Sequence, residues 1–303
     1  MDWLGHIASS GAMRHAASLE EFWALHLQSA APLQRPVDRA VSGGATADRL
    51  GFAFAAGYAA ALHSMLPSLD AREVASLAAT EEGGAHPRAI RTELTPDAEG
   101  FRLSGHKVLV TIAGSELLVL AKLGEERGRA KLAVARISRD QPGVRVAPME
   151  PLPFVPEIPH AEITFAQVAV PKSALLPGDG WEDWVKPFRT VEDVHVQAAL
   201  VGHLLSCAAA FGWARALRER MLSSIAALRT LAAESPSSAA VHLALAGAIS
   251  QVRELVDAAE PLWESAPSEV RERWRRDRPL LEVAGKARAA RRERAWERLD
   301  QGK

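Results

Sequence analysis

The sequence predicts an α+β protein in three consecutive parts: N-terminal helices, a central antiparallel β-barrel or sandwich, and a shortened C-terminal helical bundle. Three observations carry this prediction. The apolar period changes from about 3.6 to about 2 near residue 86 and reverts near residue 178. Within the middle stretch, turn chemistry recurs at Pro96-Asp97, Glu125-Glu126-Arg127-Gly128 and Gln141-Pro142-Gly143. Both flanks carry alanine-rich runs with apolar residues at helical spacing. The expected domains are 1–79, 80–180 and 181–303.

In the first part, Ser18-Leu-Glu-Glu21 forms a capping box ahead of Phe22, Trp23 and Leu25. Thr46 is positioned to cap a second helix running to about Met65, whose alanines and Gly57 point to close packing against another helix. Asp70 with Glu73 opens a third helix ending near Thr80.

Strands are expected over 89–94, 100–103, 107–112, 117–123, 131–137, 144–149 and 161–168. Gly100 and Gly105 supply the positive φ of two tight turns, placing His106 in a hairpin turn. Pro148, Pro151, Pro153, Pro156 and Pro159 form a stiff extended connection that no central strand accommodates. Farther on, one long helix is expected from about Val191 to Ala226, and another starting at Ser235-Pro236. Pro267 and Pro279 divide the remainder into a short helix and a basic one, Lys286 to Arg298, which reads as a solvated face or an anion-binding surface.

Composition excludes several classes. With 48% hydrophobic and 24% charged residues the chain has an ordinary globular balance. Its formal charge of −1 gives no field to recruit nucleic acid or an acidic membrane. A single cysteine, Cys207 in an apolar run, rules out an internal disulfide and reads as inert core. No run of apolar residues reaches the roughly 18 to 20 needed to span a bilayer, and no basic-then-apolar leader opens the chain, so a cytoplasmic location is expected.

Three segments in order carry a resemblance. Thr80-Glu-Glu-Gly-Gly84, Glu99-Gly-Phe-Arg-Leu-Ser-Gly-His-Lys-Val-Leu-Val-Thr-Ile-Ala-Gly114 and Pro159-His-Ala-Glu-Ile-Thr-Phe-Ala-Gln-Val-Ala-Val-Pro171 resemble the central β-domain of the acyl-CoA dehydrogenase family. The family's patterns there are a Thr-Glu-Pro-rich entry, a "DGY-x-L-x-G-x-K-x-x-I-T-N-A" hairpin and a "V-x-F-x-x-V-x-VP" exit. The isoalloxazine of FAD lies against this domain in the family. Both helical parts are shorter here than the family's.

The resemblance implies a carboxylate that abstracts the proton α to a thioester. The family's usual C-terminal glutamate falls on Ala284 or Gly285, after the family's Arg-Asp pair, here Arg276-Asp277. A minority of the family places the base ten residues before the glycine of an Ala-rich segment on the first long C-terminal helix; here that glycine is Gly202 and the residue is Glu192. The structural alternative is a first-turn glutamate facing the positive helix end. Asp193 replaces the family's neighbouring arginine and adds repulsion. His195, one turn on, is the best partner for a proton shuttle; otherwise it is a satisfied core histidine.

For the cofactor, Thr111 matches the threonine at flavin N5, or serves packing on a strand. Thr80 matches the threonine near the pyrimidine edge, and Leu109 replaces the stacking aromatic residue. Arg218, sixteen residues past Gly202, matches the arginine that reaches the FAD pyrophosphate of a neighbouring subunit. Ala85-His86-Pro87 stands where the family has "G-S-D", and no adenosine-binding "Q-x-x-G-G" segment follows. FAD held weakly, or not at all, is therefore expected. No metal site is expected.

Two functions remain. One is a flavin-dependent oxidoreductase carrying out α,β-dehydrogenation of an acyl thioester on CoA or a carrier protein. The other is a degenerate member acting as a non-redox acyl cyclase or isomerase, or as a partner subunit of an intact homologue. The family's shared FAD site implies a homodimer or larger assembly, with Leu200, Leu204, Phe211 and Leu217 as a candidate seam.

Overall fold

A computed structural model describes Trp3, Gly5, Ile7 and residues 13–126 and 128–302. Arg127, part of an expected turn, lies outside the described residues. The chain divides into two units rather than three successive parts. One unit holds residues 65–151 and 158–189; the other gathers residues 1–64, 152–157 and 190–303. Helices from both ends of the chain thus share a unit, joined by a six-residue piece of the proline-rich connection.

The first unit is built on one seven-stranded sheet: β1 (Ala75–Ala78), β2 (Glu93–Asp97), β3 (Gly100–Thr111), β4 (Glu116–Glu126), β5 (Arg129–Ser138), β6 (Val144–Pro148) and β7 (His160–Pro171). The order is β1-β4-β2-β3-β7-β6, with β5 on β4. The antiparallel expectation holds for β2 on β3, β3 on β7, β6 on β7 and β4 on β5. It fails where β2 meets β4 in parallel at Glu93 and Lys122, and at β1, which was expected to be helix and instead joins β4 in parallel. Asp70 opens a turn there, not a helix: its carboxylate accepts from the Arg72 amide at 2.9 Å. Ser76 then locks β1 in place, donating to the Thr111 carbonyl at 2.8 Å and accepting from the Gly114 amide at 3.0 Å.

Residues 100–111 form one strand, where two strands and a turn were expected. Gly105 sits at a register shift inside β3, not in a hairpin turn; a Cβ there would lie 2.5 Å from Thr92 Oγ1. His106 accordingly rides the strand, 3.3 Å from Glu162.

In the helical unit, α1 (Leu19–Ala30) starts as expected, with Ser18 Oγ accepting from the Glu21 amide. The Glu21 carboxylate reaches back one residue further than the standard box, to the Ala17 amide at 2.7 Å. Thr46 ends α2 (Pro36–Thr46) rather than capping α3 (Leu50–Met65); its hydroxyl donates to the Ser42 carbonyl. The expected long helix is two, α4 (Lys186–Ala210) and α5 (Arg215–Leu231). Gly212, at φ 68°, allows the Trp213 amide to close back on the Ala208 carbonyl at 2.9 Å, which terminates α4. Trp213 then packs edge-on against Trp263, which stacks on Trp274.

Helix α6 (Ala239–Ala259) is capped by Ser238, three residues past the expected cap. With its 3₁₀ continuation to Ser265 it reaches a mean hydropathy of 1.2, long and apolar enough to cross a membrane by length and composition, contrary to the sequence-based expectation. Its apolar residues Leu245, Ile249, Val252 and Leu255 recur at helical spacing and sit in the unit's core. Helices α7 (Ser268–Asp277) and α8 (Gly285–Asp300) follow the two proline breaks.

The helices approach to backbone contact through glycine. A Cβ on Gly44 would lie 1.8 Å from the Ala199 carbonyl oxygen, and one on Gly202 2.3 Å from that of Val41. Gly57 meets Val196 in the same way, as its alanine-rich helix implied. Because carbonyls cannot yield as side chains do, Gly44→Ala should cost at least about 1–3 kcal/mol. Thermal melts should show a drop of several degrees, while Gly247→Ala, which meets nothing within 4 Å, should leave the melt unchanged or slightly raised.

Candidate functional site

The end of β3 is the least relaxed backbone in the sheet. Leu109, Ile112 and Ala113 all have positive φ, at 53°, 67° and 47°. Such angles are genuine outliers for residues of this bulk and cost on the order of 1–3 kcal/mol each, so the surroundings must impose them. The impositions are visible. Val108 donates to the Thr80 carbonyl at 2.9 Å, Ile112 to that of Pro159 at 2.7 Å, and the β3–β7 register shifts between Lys107 and Val110. The result turns Leu109 outward, leaving it 48% exposed, between half-buried Thr80 and Thr111. The Val108 bond thus sets the Thr80 backbone beside the residue preceding Leu109, and Thr111 follows two residues along the same strand.

Next in sequence to Thr80 and Val108 is a buried pair, Glu81 and Lys107, that the motifs did not single out. Lys107 is fully buried and donates to Glu81 Oε1 at 2.7 Å. Glu81 also accepts from the amides of Arg91 at 2.7 Å and Thr92 at 3.0 Å. Burial pulls the Lys107 ammonium down to about 8, against the opposing pull of Glu81. Both residues belong to the motif segments, Glu81 next to Thr80 and Lys107 within β3. Their signal was a lysine at an otherwise apolar strand position.

On α4, Glu192 is half-buried and lies in the second turn, since the helix starts at Lys186 after a π-helical turn over Gly180–Val185. The helix-end explanation for this glutamate therefore loses its basis, because that effect fades beyond the first turn. Asp193 is held by two arginines of α8: Arg288 Nε donates to it at 2.9 Å, and Arg291 to its other oxygen. The expected repulsion beside Glu192 is thus neutralised, and this part of the basic terminal segment is an internal clamp rather than an anion surface.

His195 is the satisfied core histidine of the two alternatives. It is buried, its Nδ1–H donates to the Val191 carbonyl at 2.7 Å, and burial lowers its pKa to about 4. A ring held neutral this firmly is not a proton shuttle near neutral pH. Arg218, in the first turn of α5, is half-buried and forms no ion pair among the described residues. Leu200, Leu204 and Leu217 are buried in the unit's own core with Phe211 packed on it, so they do not form an intersubunit seam. Cys207 is likewise buried core, 3.7 Å from His203.

At the position of the family's usual base, Ala284 and Gly285 open α8, and nearby Glu282 pairs with Arg253 at 3.1 Å. The Arg276-Asp277 pair is structural. Buried Asp277 accepts from the Val155 amide at 2.7 Å and from Arg276, fastening the proline-rich connection to the helices. A cleft of about 650 Å³ in the sheet unit, along Glu73, Glu116, Arg136 and Gln141, contains none of the expected residues. Among the described residues no group of three His, Cys, Asp or Glu side chains is placed to hold a metal ion.

No family model matches this sequence, and no curated protein sequence matches it. Solved structures do. Butyryl-CoA dehydrogenase from Megasphaera elsdenii superposes with a TM-score of 0.71 at 14% identity, covering 98% of this chain and 97% of the other. An FAD-dependent dehydrogenase gives 0.73 at 16% identity, covering 99% and 97%. PigA with FAD and proline gives 0.63 at 14% identity, covering 99% and 92%. The chain has an acyl-CoA dehydrogenase-like fold.

Proposed function

We propose that this protein is a flavin-dependent oxidoreductase of the α,β-dehydrogenation type, acting on an acyl thioester carried by CoA or a carrier protein, in the cytoplasm. One observation carries the proposal: an exposed leucine held in left-handed backbone between Thr80 and Thr111. A fold retains strain of that kind where a functional surface needs it, and an exposed apolar side chain suits the face of a planar ring system. Those residues suit the reacting edge of FAD, and Arg218 offers a cation for its diphosphate. When bound, the flavin supplies the hydride acceptor for the reaction.

The chain's own residues do the rest. Glu192 accepts the α-proton. Asp193, neutralised by Arg288 and Arg291, puts no competing charge beside that carboxylate and ties the second turn of α4 to α8. His195 anchors the same turn as a neutral imidazole. With a single matched arginine for the diphosphate, FAD should bind weakly, and the assembly should be a homodimer or larger.

The second proposed function, a non-redox acyl cyclase or isomerase or the partner subunit of an intact homologue, is favoured by Leu109 in the stacking position and by the engagement of Glu282 with Arg253. The colour of the purified protein separates the two. A protein that is yellow as purified, or that binds added FAD saturably even if dialysis removes it, supports the redox function; a protein that is colourless and shows no saturable binding of added FAD removes it. Arg218→Ala should weaken FAD binding about ten- to a hundredfold, as expected for one charge-assisted contact of roughly 1.5–3 kcal/mol. Glu192→Gln should retain the fold and lower turnover of an accepted thioester by about 10² to 10⁴. Turnover at the wild-type rate would move the base elsewhere.

A further inference from the structure

The helical unit contains a second cavity that the proposed chemistry does not use. It measures about 280 Å³ and opens between α4, α6 and the 3₁₀ turn Arg278–Glu282. Its inner wall is apolar, formed by Leu200, Ile249, Val252 and Val256, all buried. Into it faces Gln197, only 4% exposed, whose carboxamide forms no hydrogen bond among the described residues. Its amide atoms keep access to the cavity, so a ligand that seals them from water must hydrogen-bond them or cost roughly 1–3 kcal/mol. Its one remaining direction is the cavity.

The rim sets the charge of what enters. Arg253 and Arg278 line it together with Asp257 and Glu282, two positive and two negative groups. Arg253 is paired with Glu282 at 3.1 Å and Arg278 with Glu260 at 2.5 Å. A guanidinium already held by a carboxylate offers little to an anion, and a balanced rim gives no net attraction to either sign. Size sets the rest: the volume lies just below the roughly 300–1,000 Å³ typical of small-molecule sites.

We propose that this cavity binds a small uncharged amphiphile, a short aliphatic or aromatic body carrying one amide, carbonyl or hydroxyl group that Gln197 recognises. Gln197 can donate and accept at once, so a primary amide is the best-matched headgroup. The apolar body displaces water from Leu200, Ile249, Val252 and Val256. The site lies on residues other than Glu192, Thr111 and Arg218, so it is independent of the flavin proposal.

Hexanamide is a suitable probe, with hexanoate and hexylamine as charged analogues of equal length. Calorimetric titration of the full chain should show saturable hexanamide binding, at least about tenfold tighter than either analogue. Gln197→Met, nearly equal in length but unable to hydrogen-bond, should weaken hexanamide about tenfold, the effect of one hydrogen bond. Ile249→Trp should fill the cavity and abolish binding. Circular dichroism of each variant without ligand checks folding, and if Ile249→Trp fails to fold, Gln197→Met decides alone. No saturable binding of hexanamide, affinity unchanged by Gln197→Met, or a preference for hexanoate would overturn the proposal. None of these results bears on the colour test, so the two proposals fail separately.

Discussion

Lowering the pH from about 5.5 to about 4.5 should cost the helical unit about 4 kcal/mol, because three buried histidines there cannot protonate in the fold. The ordinary value for the side chain is 6.5; burial lowers His26 to about 3 and His195 and His203 to about 4. His26 also faces the charges of Arg39 and His63, which push in the same direction. Asp48 and Asp277 favour the charged form of His203, Arg273 opposes it, and burial outweighs all three. The sign follows from proton counting. Below pH 6.5 the unfolded chain takes up protons that the folded unit refuses, so stability is full above that pH and falls toward pH 4. Each such group contributes about 1.4 kcal/mol per pH unit, and three together give about 4 kcal/mol. Thermal melts followed by circular dichroism should show the midpoint falling steeply across this window, and His203→Gln should remove about a third of the slope. A midpoint that stays level would mean the histidines reach solvent or partners in the folded state.

The sequence disclosed most of the strands and the order of helix, sheet and helix, because both leave periodic apolar patterns. What it hid was set by tertiary contact. Ala75–Ala78 has no strand signature of its own; it is a strand because β4 is beside it and Ser76 ties it to Thr111 and Gly114. Gly105 looked like a turn because glycine permits one, yet its role is to let β3 pass close to Thr92. The joining of both ends of the chain into one unit, where Gly44 meets Ala199 and Gly202 meets Val41, has no local signal at all. Gly212 is the opposite case. A glycine after an alanine-rich run is a legible helix stop, and the continuous helix expected there ignored it.

The site was legible to a lesser degree. Motif spacing named Thr80, Leu109 and Thr111; of these only Leu109 has strained backbone, and Thr80 is tied to its neighbour Val108 by a backbone hydrogen bond. Spacing alone could not say that Asp193 is neutralised by arginines about a hundred residues away, or that His195 spends its proton on its own helix. Charge partners distant in sequence are invisible to a linear motif. Gln197 was seen only as a passenger on α4, since its significance lies in having nothing to bond.

Removing Glu81 should destabilise the sheet unit far more than removing Lys107, although the two form a single ion pair. Glu81→Met strands a fully buried ammonium and also takes the acceptor from the Arg91 and Thr92 amides. Breaking a buried pair from one side costs about 3–5 kcal/mol, and the two amides add to that. Lys107→Met leaves Glu81 with both backbone donors, so its cost should fall well below that range. The pH dependence gives an independent signature. Burial holds Lys107 near 8 in the fold, below its ordinary 10.5, while the unfolded chain keeps the proton to the higher value. Between these values the unfolded state binds more protons, so stability should rise with pH by up to about 1.4 kcal/mol per unit. Urea unfolding of the wild-type sheet, followed by circular dichroism at pH values within that window, should show the midpoint climbing. In Lys107→Met the climb should vanish. Equal losses from both single variants would mean that the backbone amides find other acceptors, and that Glu81 holds the lysine and nothing else.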